Sequence, residues 1–503
     1  MKYLPLYILA SAVFCVNVSF AEYTYKEDDT RFMNGVLYDV NGDPVTGIYE
    51  EFYENNIKKS LMPYVNGILN GLGVLYDEQG KKSADMPFID GKAEGDALVY
   101  YANGALKEKI PYKNGKVQGV MRSYFPNGNL KNKITYDNGI QNGLAKEYYD
   151  DGKVKEVFNY VEGKRNGDAT VYFYDGSVAE GLKYSDDEIV GERVIYYKSG
   201  RPKSRIQYID GKKNGNVQNY YEDGTIESVI PYKDDVIEGE GSFYHENGDL
   251  KLTVMYKNNM RNGLAKAYYP DGKIKVAVNY QNDVKNGVET DYYESGAIKT
   301  EMPYVDGVIN GIGREYDENA GLLTEMTYVN AVANGVAKFY EDGKVKTEAM
   351  YKKGKKSGIQ KDFDKSGNLF SESMFKNDIL NGEYKEFYSN GKIKSTALYV
   401  AGVLNGLSLI YDEDGNLSYE VPYSDNRKNG KVKRYYPSGE LMGEVTYEKG
   451  LKHGMLDAYN LDGTLMAKVL FNKDVAIKGY SLDHGKRPLL MTPEELTLIN
   501  GAY

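Results

Sequence analysis

The sequence predicts an all-β chain: an elongated, single-layer antiparallel meander of tandem β-hairpins, closed by a short C-terminal capping helix. Three observations predict it. A glycine recurs every 24 residues from Gly47 to Gly335 and, after one step of 23 to Gly358, again every 24 to Gly454, which makes eighteen copies of one unit. Inside the unit the apolar residues fall mostly at odd positions, which is the two-residue period of a strand and not the 3.6-residue period of a helix. Turn-forming groups such as Asp151-Gly152 and Asn138-Gly139 recur half a period apart, where a straight meander has to reverse.

The N-terminus is set apart from the fold. Lys2, the apolar run Leu4 to Val16 and the small residues Ser19 and Ala21 make residues 1–21 a secretory signal peptide, cut between Ala21 and Glu22. Residues 22–46 read as an imperfect hairpin that caps the first sheet edge, with Asn34-Gly35 and Asn41-Gly42 as its turns.

Residues 47–478 hold the eighteen repeats, with positions counted from the glycine as 0. Position 5 is aromatic in every repeat, as in Tyr100, Tyr124, Tyr148, Tyr172, Tyr196 and Tyr220. Position 17 is aromatic as well, as in Tyr112, Tyr136, Tyr160, Tyr184 and Tyr208. Position 11 is aliphatic in most repeats, for example Leu130 and Val154, and position 15 is usually apolar, for example Ile110 and Phe158. Positions 1, 5, 11, 15 and 17 are expected to share one face, with Tyr149 and Val157 as exceptions to the alternation. Turn centres near 8 and 20 place position 5 opposite position 11 of its own repeat and beside position 11 of the preceding one. The result is a row alternating tyrosine with Leu, Val or Ile, each cross-strand pair contributing about 0.2–1 kcal/mol. The same count places the glycine opposite position 16. The turns Asp186-Asp187, Asn258-Asn259 and Asn282-Asp283 lack the usual glycine and read as neutral variation in preference to bends.

Residues 479–503 form a C-terminal cap. Thr492, Pro493, Glu494 and Glu495 read as the N-cap, first position and acidic first turn of a short helix that covers the last edge.

Composition excludes several function classes. Cys15 is the one cysteine and leaves with the signal, so disulfides, thiolate metal sites and cysteine nucleophiles are not expected in the mature chain. A net charge of −10 with interspersed signs makes nucleic acid an unfavourable partner. No apolar stretch after the signal approaches membrane-spanning length. The three histidines, His245, His453 and His484, form no metal or catalytic motif, and neither a phosphate-binding loop nor a nucleophile elbow is present. Acidic turns such as Asp412-Glu413-Asp414-Gly415 lack calcium-loop spacing. No catalytic, cofactor-binding or metal-binding residue is expected.

The run Tyr136-Asp137-Asn138-Gly139-Ile140-Gln141-Asn142-Gly143, followed by Tyr148-Tyr149-Asp150-Asp151-Gly152, resembles the bacterial variant of the MORN repeat. The likeness extends from Gly47 to Lys478. It implies a single elongated antiparallel sheet acting as a scaffold or interaction surface. Some bacterial relatives carry an antitoxin label, and MORN-bearing proteins include certain phosphatidylinositol phosphate kinases. The expected function is an exported, non-enzymatic scaffold that mediates protein–protein interaction at the cell envelope or surface. Its partner is expected to be another protein or a second copy of itself. The alternative is a glycan-binding protein that stacks sugars on its tyrosine rows, a reading that the absence of tryptophan weakens. Periplasm, cell surface and medium are all compatible locations.

Overall fold

The computed structural model describes residues 23–482 and 487–502, so the expected signal peptide at 1–21 and His484 lie outside the described residues. The chain is all-β, an open architecture of antiparallel hairpins with one parallel pairing near its start and a short helix at its end. Two compact halves divide it: residues up to Lys251 with Tyr256–Asn259, and Leu252–Met255 with residues from Met260 onward.

In the first half, strand Thr24–Tyr25 runs parallel to Gly47–Phe52, the opening strand of the repeats. The hairpin Thr30–Met33 and Val36–Asp39 turns at Asn34 and Gly35, with φ of 54° and 81°. It brings Leu37, with the following Val45, onto Tyr64 in a buried cluster. Nothing in the alternation of the sequence reveals the parallel strand.

The repeat that starts at Gly143 shows the unit. Strand Ile140–Tyr148 pairs antiparallel with Val154–Val161. Between them the Tyr149 N–H donates to the Lys153 carbonyl at 2.8 Å and the Gly152 N–H to the Tyr149 carbonyl at 3.0 Å. This is a three-residue loop closed by a left-handed residue, here Gly152 at φ 89°. The other turn, Asn138-Gly139, has φ of 49° and 87°, a two-residue type I′ connection.

A bulge changes the expected register. Gly143 pairs with Tyr160, Leu144 with Asn159 and Glu147 with Glu156, but Tyr148 pairs with Val154, leaving Lys155 as an extra residue. The same shift recurs at Tyr100–Leu106 and Tyr292–Ile298. It exchanges the parity of the two arms. Positions 0, 2, 4, 13, 15, 17 and 22 therefore line one face, which is the packed one: Ala145, Phe158, Ala169 and Leu182 are buried there with Tyr160 and Tyr184 against them. Positions 1, 3, 5, 14, 16, 18 and 21 line the opposite, open face.

Three expectations are corrected by this register. Positions 1 and 5 do not share a face with 15 and 17: Leu144 is 50% exposed, whereas its neighbour Ala145 is 1% exposed. The glycine pairs in its own hairpin with position 17 and not 16. It meets position 16 of the preceding repeat instead, where a Cβ on Gly143 would lie 3.3 Å from Thr135 Cβ at a backbone φ of 110°. Position 5 does pair with position 11 of its own repeat. Between repeats, however, the ladder runs Glu156–Val171 and Val157–Thr170 and stops short of Tyr172, so no continuous tyrosine–aliphatic row forms.

Neighbouring repeats are joined at both ends of the hairpins. At one end, the position-6 tyrosine donates its hydroxyl to the position-5 carbonyl of the next repeat: Tyr101 to Tyr124, Tyr149 to Tyr172 and Tyr197 to Tyr220, each at 2.7 Å. In the second half Tyr269, Tyr293, Tyr388 and Tyr436 do the same. Tyr149, which the alternation leaves unexplained, is thus an inter-repeat strut. Removing one such hydroxyl forfeits a partly buried hydrogen bond of about 0.5–1.5 kcal/mol. Tyr149→Phe should accordingly raise amide exchange in the two adjoining repeats only, because contacts are nearest-neighbour.

At the other end, the position-20 N–H donates to the position-22 carbonyl of the preceding repeat, as in Gly139 to Val117 at 2.8 Å. Where the glycine is replaced, the turn keeps its form, with Asp186 and Asp187 at φ 51° and 73°. The new side chain then accepts a hydrogen bond in return, from the Arg165 N–H to Asp187 Oδ1 at 2.8 Å. Asn259 and Asp283 accept from the Ile237 and Arg261 N–H groups in the same way. These substitutions are therefore not neutral; each adds a clamp between repeats. The residue before the glycine contributes another, since Gln118 and Asn381 accept from the backbone of Asn138 and Ala401 in the following turns.

In the second half the chain ends with Val475–Leu482 paired to Leu465–Asn472 on one side and to Pro488–Leu490 on the other. Helix Pro493–Ala502 opens with a capping box, in which the Glu495 N–H donates to Thr492 Oγ1 at 3.3 Å and the Thr492 N–H to Glu495 Oε2 at 2.7 Å. Met491, Leu496 and Ile499 pack on a buried cluster that includes Val469 and Phe471. Among the described residues no helix is long and apolar enough to cross a membrane.

Candidate interaction surface

The tyrosines expected to form one platform are divided between the two faces. Tyr112, Tyr136, Tyr160, Tyr184 and Tyr208 stand at position 17 on the packed face, where in some repeats a base from position 22 of the preceding repeat covers the ring. Arg165 lies 5.3 Å from the Tyr184 centroid, Lys213 lies 5.1 Å from Tyr232 and Lys285 lies 4.9 Å from Tyr304. Arg165 also donates to Glu156 at 3.2 Å and to the Tyr184 hydroxyl at 3.1 Å. Tyr100, Tyr124, Tyr148, Tyr172, Tyr196 and Tyr220 stand at position 5 on the open face. There the Tyr100 hydroxyl donates to Asp85 at 2.7 Å and that of Tyr220 to Gln218 at 2.8 Å. Tyr100, Tyr136, Tyr184 and Tyr208 thereby tie neighbouring strands together through their hydroxyls.

His245 and His453 fall at positions 6 and 23, in place of the usual tyrosine and asparagine, and belong to different halves.

The open face of the second half carries a different pattern. Positions 1 and 16 are cross-strand partners, and here both are apolar in several repeats: Val288 with Pro303, Val336 with Met350, Ile359 with Met374 and Leu407 with Pro422. Positions 18 and 21 extend the stripe on the same face through Val305 with Val308, Val329 with Val332 and Val400 with Val403. Ile312, Ile359, Val400 and Leu407 are 43–50% exposed. In the first half the same position 1 is interrupted by Asp96, Asp168, Glu192 and Asn216, and in the second by Glu383 and Lys431. Single exposed aliphatics are ordinary on a protein surface, but a row of them in cross-strand register is the kind of patch that marks an interaction site.

Beside the stripe runs a charge ladder built from positions 14 and 3. Glu301, Arg314, Glu325, Lys338, Glu348, Lys361, Glu372 and Lys385 follow one another as direct register partners, acid and base alternating without a break. Arg314 Nε lies 2.9 Å from Glu325 and Lys361 Nζ lies 3.8 Å from Glu372. The Arg314 hydrogen bond, joined by that of the Tyr340 hydroxyl, holds the Glu325 carboxyl below its ordinary range. Burial, with Glu325 next to it, pushes the Tyr340 phenol up to about 12. The ladder holds equal numbers of each sign. Next to an apolar stripe it presents a neutral strip on a chain whose net charge is −10.

Sequence reasoning missed this surface because it assigned position 1 to the packed side. The signal was present in the aliphatic residues that recur at position 21, as in Val284, Val308, Val332 and Ile379.

The MORN repeat variant matches residues 45–66, 93–114, 117–138, 141–162, 213–234, 237–258, 261–282, 285–306, 334–353, 356–377, 380–401, 404–425 and 428–449. These thirteen segments cover more than half of the chain. The chain belongs to the MORN repeat variant family. Nearly every matched segment opens two residues before the recurring glycine and closes at position 19, so the MORN unit here is the hairpin around the three-residue loop, bounded by type I′ turns. No curated protein matches the chain. Similar solved structures include the crystal structure of TcdB2-TccC3, with 11% identity over 91% of this chain and 31% of that one at a TM-score of 0.14. Another is the Photorhabdus luminescens Tc holotoxin pore, with 11% identity over 91% of this chain and 30% of that one at a TM-score of 0.14. The chain spans about a third of the length of these structures.

Proposed function

We propose that this MORN-repeat chain is an exported, non-enzymatic scaffold whose open face binds protein at the cell envelope or surface, and that a second copy of the chain is its partner. The observation that carries the reading is the apolar stripe with its charge ladder in the second half. Burying apolar surface favours association by roughly 25 cal/mol per Å². A net-negative chain repels its own copies, yet the ladder gives this strip no net charge, and its alternating signs complement an inverted copy of themselves. The sequence-based signal peptide supports export. The glycan reading is the weaker one, because cations cover several position-17 rings and neighbours engage the position-6 hydroxyls.

Cross-linking of mixed light and heavy-isotope copies tests this. Amine links between copies are expected to concentrate at Lys338, Lys361 and Lys385. Links confined to single copies, together with saturable retention on a polysaccharide panel, would replace the scaffold with a carbohydrate platform.

A further inference from the structure

The packed face of the last repeats contains a cavity of about 330 Å³, lined among others by Tyr419, Val432, Gly443, Tyr447 and Ala458. One substitution stands out in its wall. Position 13 carries a side chain in other repeats, such as Glu156, Glu180 or Ser204, but Gly443 stands there in this one. Its backbone is not in the left-handed region, so no turn demands glycine. A Cβ at Gly443 would meet the Asp457 carbonyl oxygen at 3.0 Å and the Ala458 Cα at 3.7 Å, with no side chain of the opposite wall within 4 Å. The floor is apolar and well packed, since Val421, Val432, Val445, Leu456 and Ala458 are all buried.

Two bases of the packed face meet a position-13 acid, Arg165 with Glu156 and Arg193 with Glu180. At the cavity, position 13 is Tyr419 and Gly443, so that acid is missing. Arg434 lies 5.5 Å from the Tyr419 ring centroid and Lys428 lies 5.1 Å from that of Tyr447. Among the described residues neither makes an ion pair, although both line the cavity. Glu444 also lines the cavity, but Lys431 engages its carboxylate at 2.6 Å, as Lys433 engages that of Glu420 at 2.8 Å.

We propose that this cavity is a binding site for a small organic anion. The apolar body of the ligand occupies the space over Gly443 and its carboxylate or phosphate pairs with Arg434 and Lys428. The volume lies at the small end of ligand sites, and an apolar lining with a few convergent polar groups is their usual composition. Cations held over aromatic rings without an ion-pair partner are preorganised for an incoming anion. This site does not depend on the open-face association, because it lies on the opposite face of the hairpins.

Calorimetric titration of the full mature chain tests the assignment with two carboxylate probes, 1-naphthoate for an aromatic body and decanoate for an acyl chain. Their neutral counterparts, 1-naphthalenemethanol and decanol, serve as controls. Saturable one-to-one binding of one carboxylate is expected, at least tenfold tighter than its alcohol, and the preferred body tells an aromatic source from a lipid one. Arg434→Gln should weaken that binding at least tenfold with the circular dichroism spectrum unchanged. Gly443→Val should abolish it. Equal affinity for acid and alcohol, undiminished binding by Arg434→Gln, or no saturable binding of either acid would overturn the site.

Discussion

Phe471→Ala is expected to cost about 3–5 kcal/mol, the range for emptying a fully buried aromatic position. Phe471 is 1% exposed and sits in the cluster of Val445, Tyr447, Val469 and Leu456 that the C-terminal helix covers through Leu496 and Ile499. The Lys452 ammonium rests 5.2 Å from its ring centroid, so the substitution also strips one wall from a largely buried cation. Burial already pushes that lysine below its ordinary pKa. The loss is expected to stay local. Repeats contact only their neighbours, so hydrogen exchange should accelerate from about Gly430 to the helix while the repeats before Gly358 keep their protection. Uniform acceleration throughout the second half would mean that its repeats do not behave as nearest-neighbour modules.

A second large effect is expected at the open face. Ile312→Asp combined with Ile359→Asp places two charges in the centre of the apolar stripe, at residues 47% and 43% exposed. Both side chains are nearly half exposed, so the melting temperature should move little. Association of the chain with itself should weaken at least a hundredfold, which corresponds to about 2.7 kcal/mol. Each substitution removes an apolar contact and forces a carboxylate to be desolvated on docking. A double variant that unfolds would show that the stripe is core, whereas one that still associates with wild-type strength would show that the interface lies elsewhere.

Much of the fold was legible in the sequence because the repeat carries its own punctuation. The glycine period, the type I′ pairs such as Asn138-Gly139 and the three-residue loops ending at residues such as Gly152 fix strand number and turn placement without any knowledge of packing. The pairing of Tyr148 with Val154 followed from turn centres alone. What could not be read was the bulge at Lys155, because one extra residue leaves the 24-residue count unchanged while exchanging the faces of the two arms. Every error about faces descends from it. Leu144 went to the wrong side, and the tyrosine rows merged into one. The inter-repeat struts were also hidden, since Tyr149 looks like a defect in alternation until its hydroxyl is seen on the Tyr172 carbonyl. The candidate surface was illegible for the same reason. Alternation tells which residues share a face only while the register is unbroken, and here it breaks at the bulge and again beside the recurring glycine.

The most direct measurement is sedimentation equilibrium of the purified mature chain over a hundredfold dilution series. Expected is a weight-average mass that rises with concentration from one chain toward two, with the Ile312→Asp, Ile359→Asp variant remaining at one. A wild-type mass that stays at one chain across the whole series would contradict the assignment of the open face as a surface for a second copy.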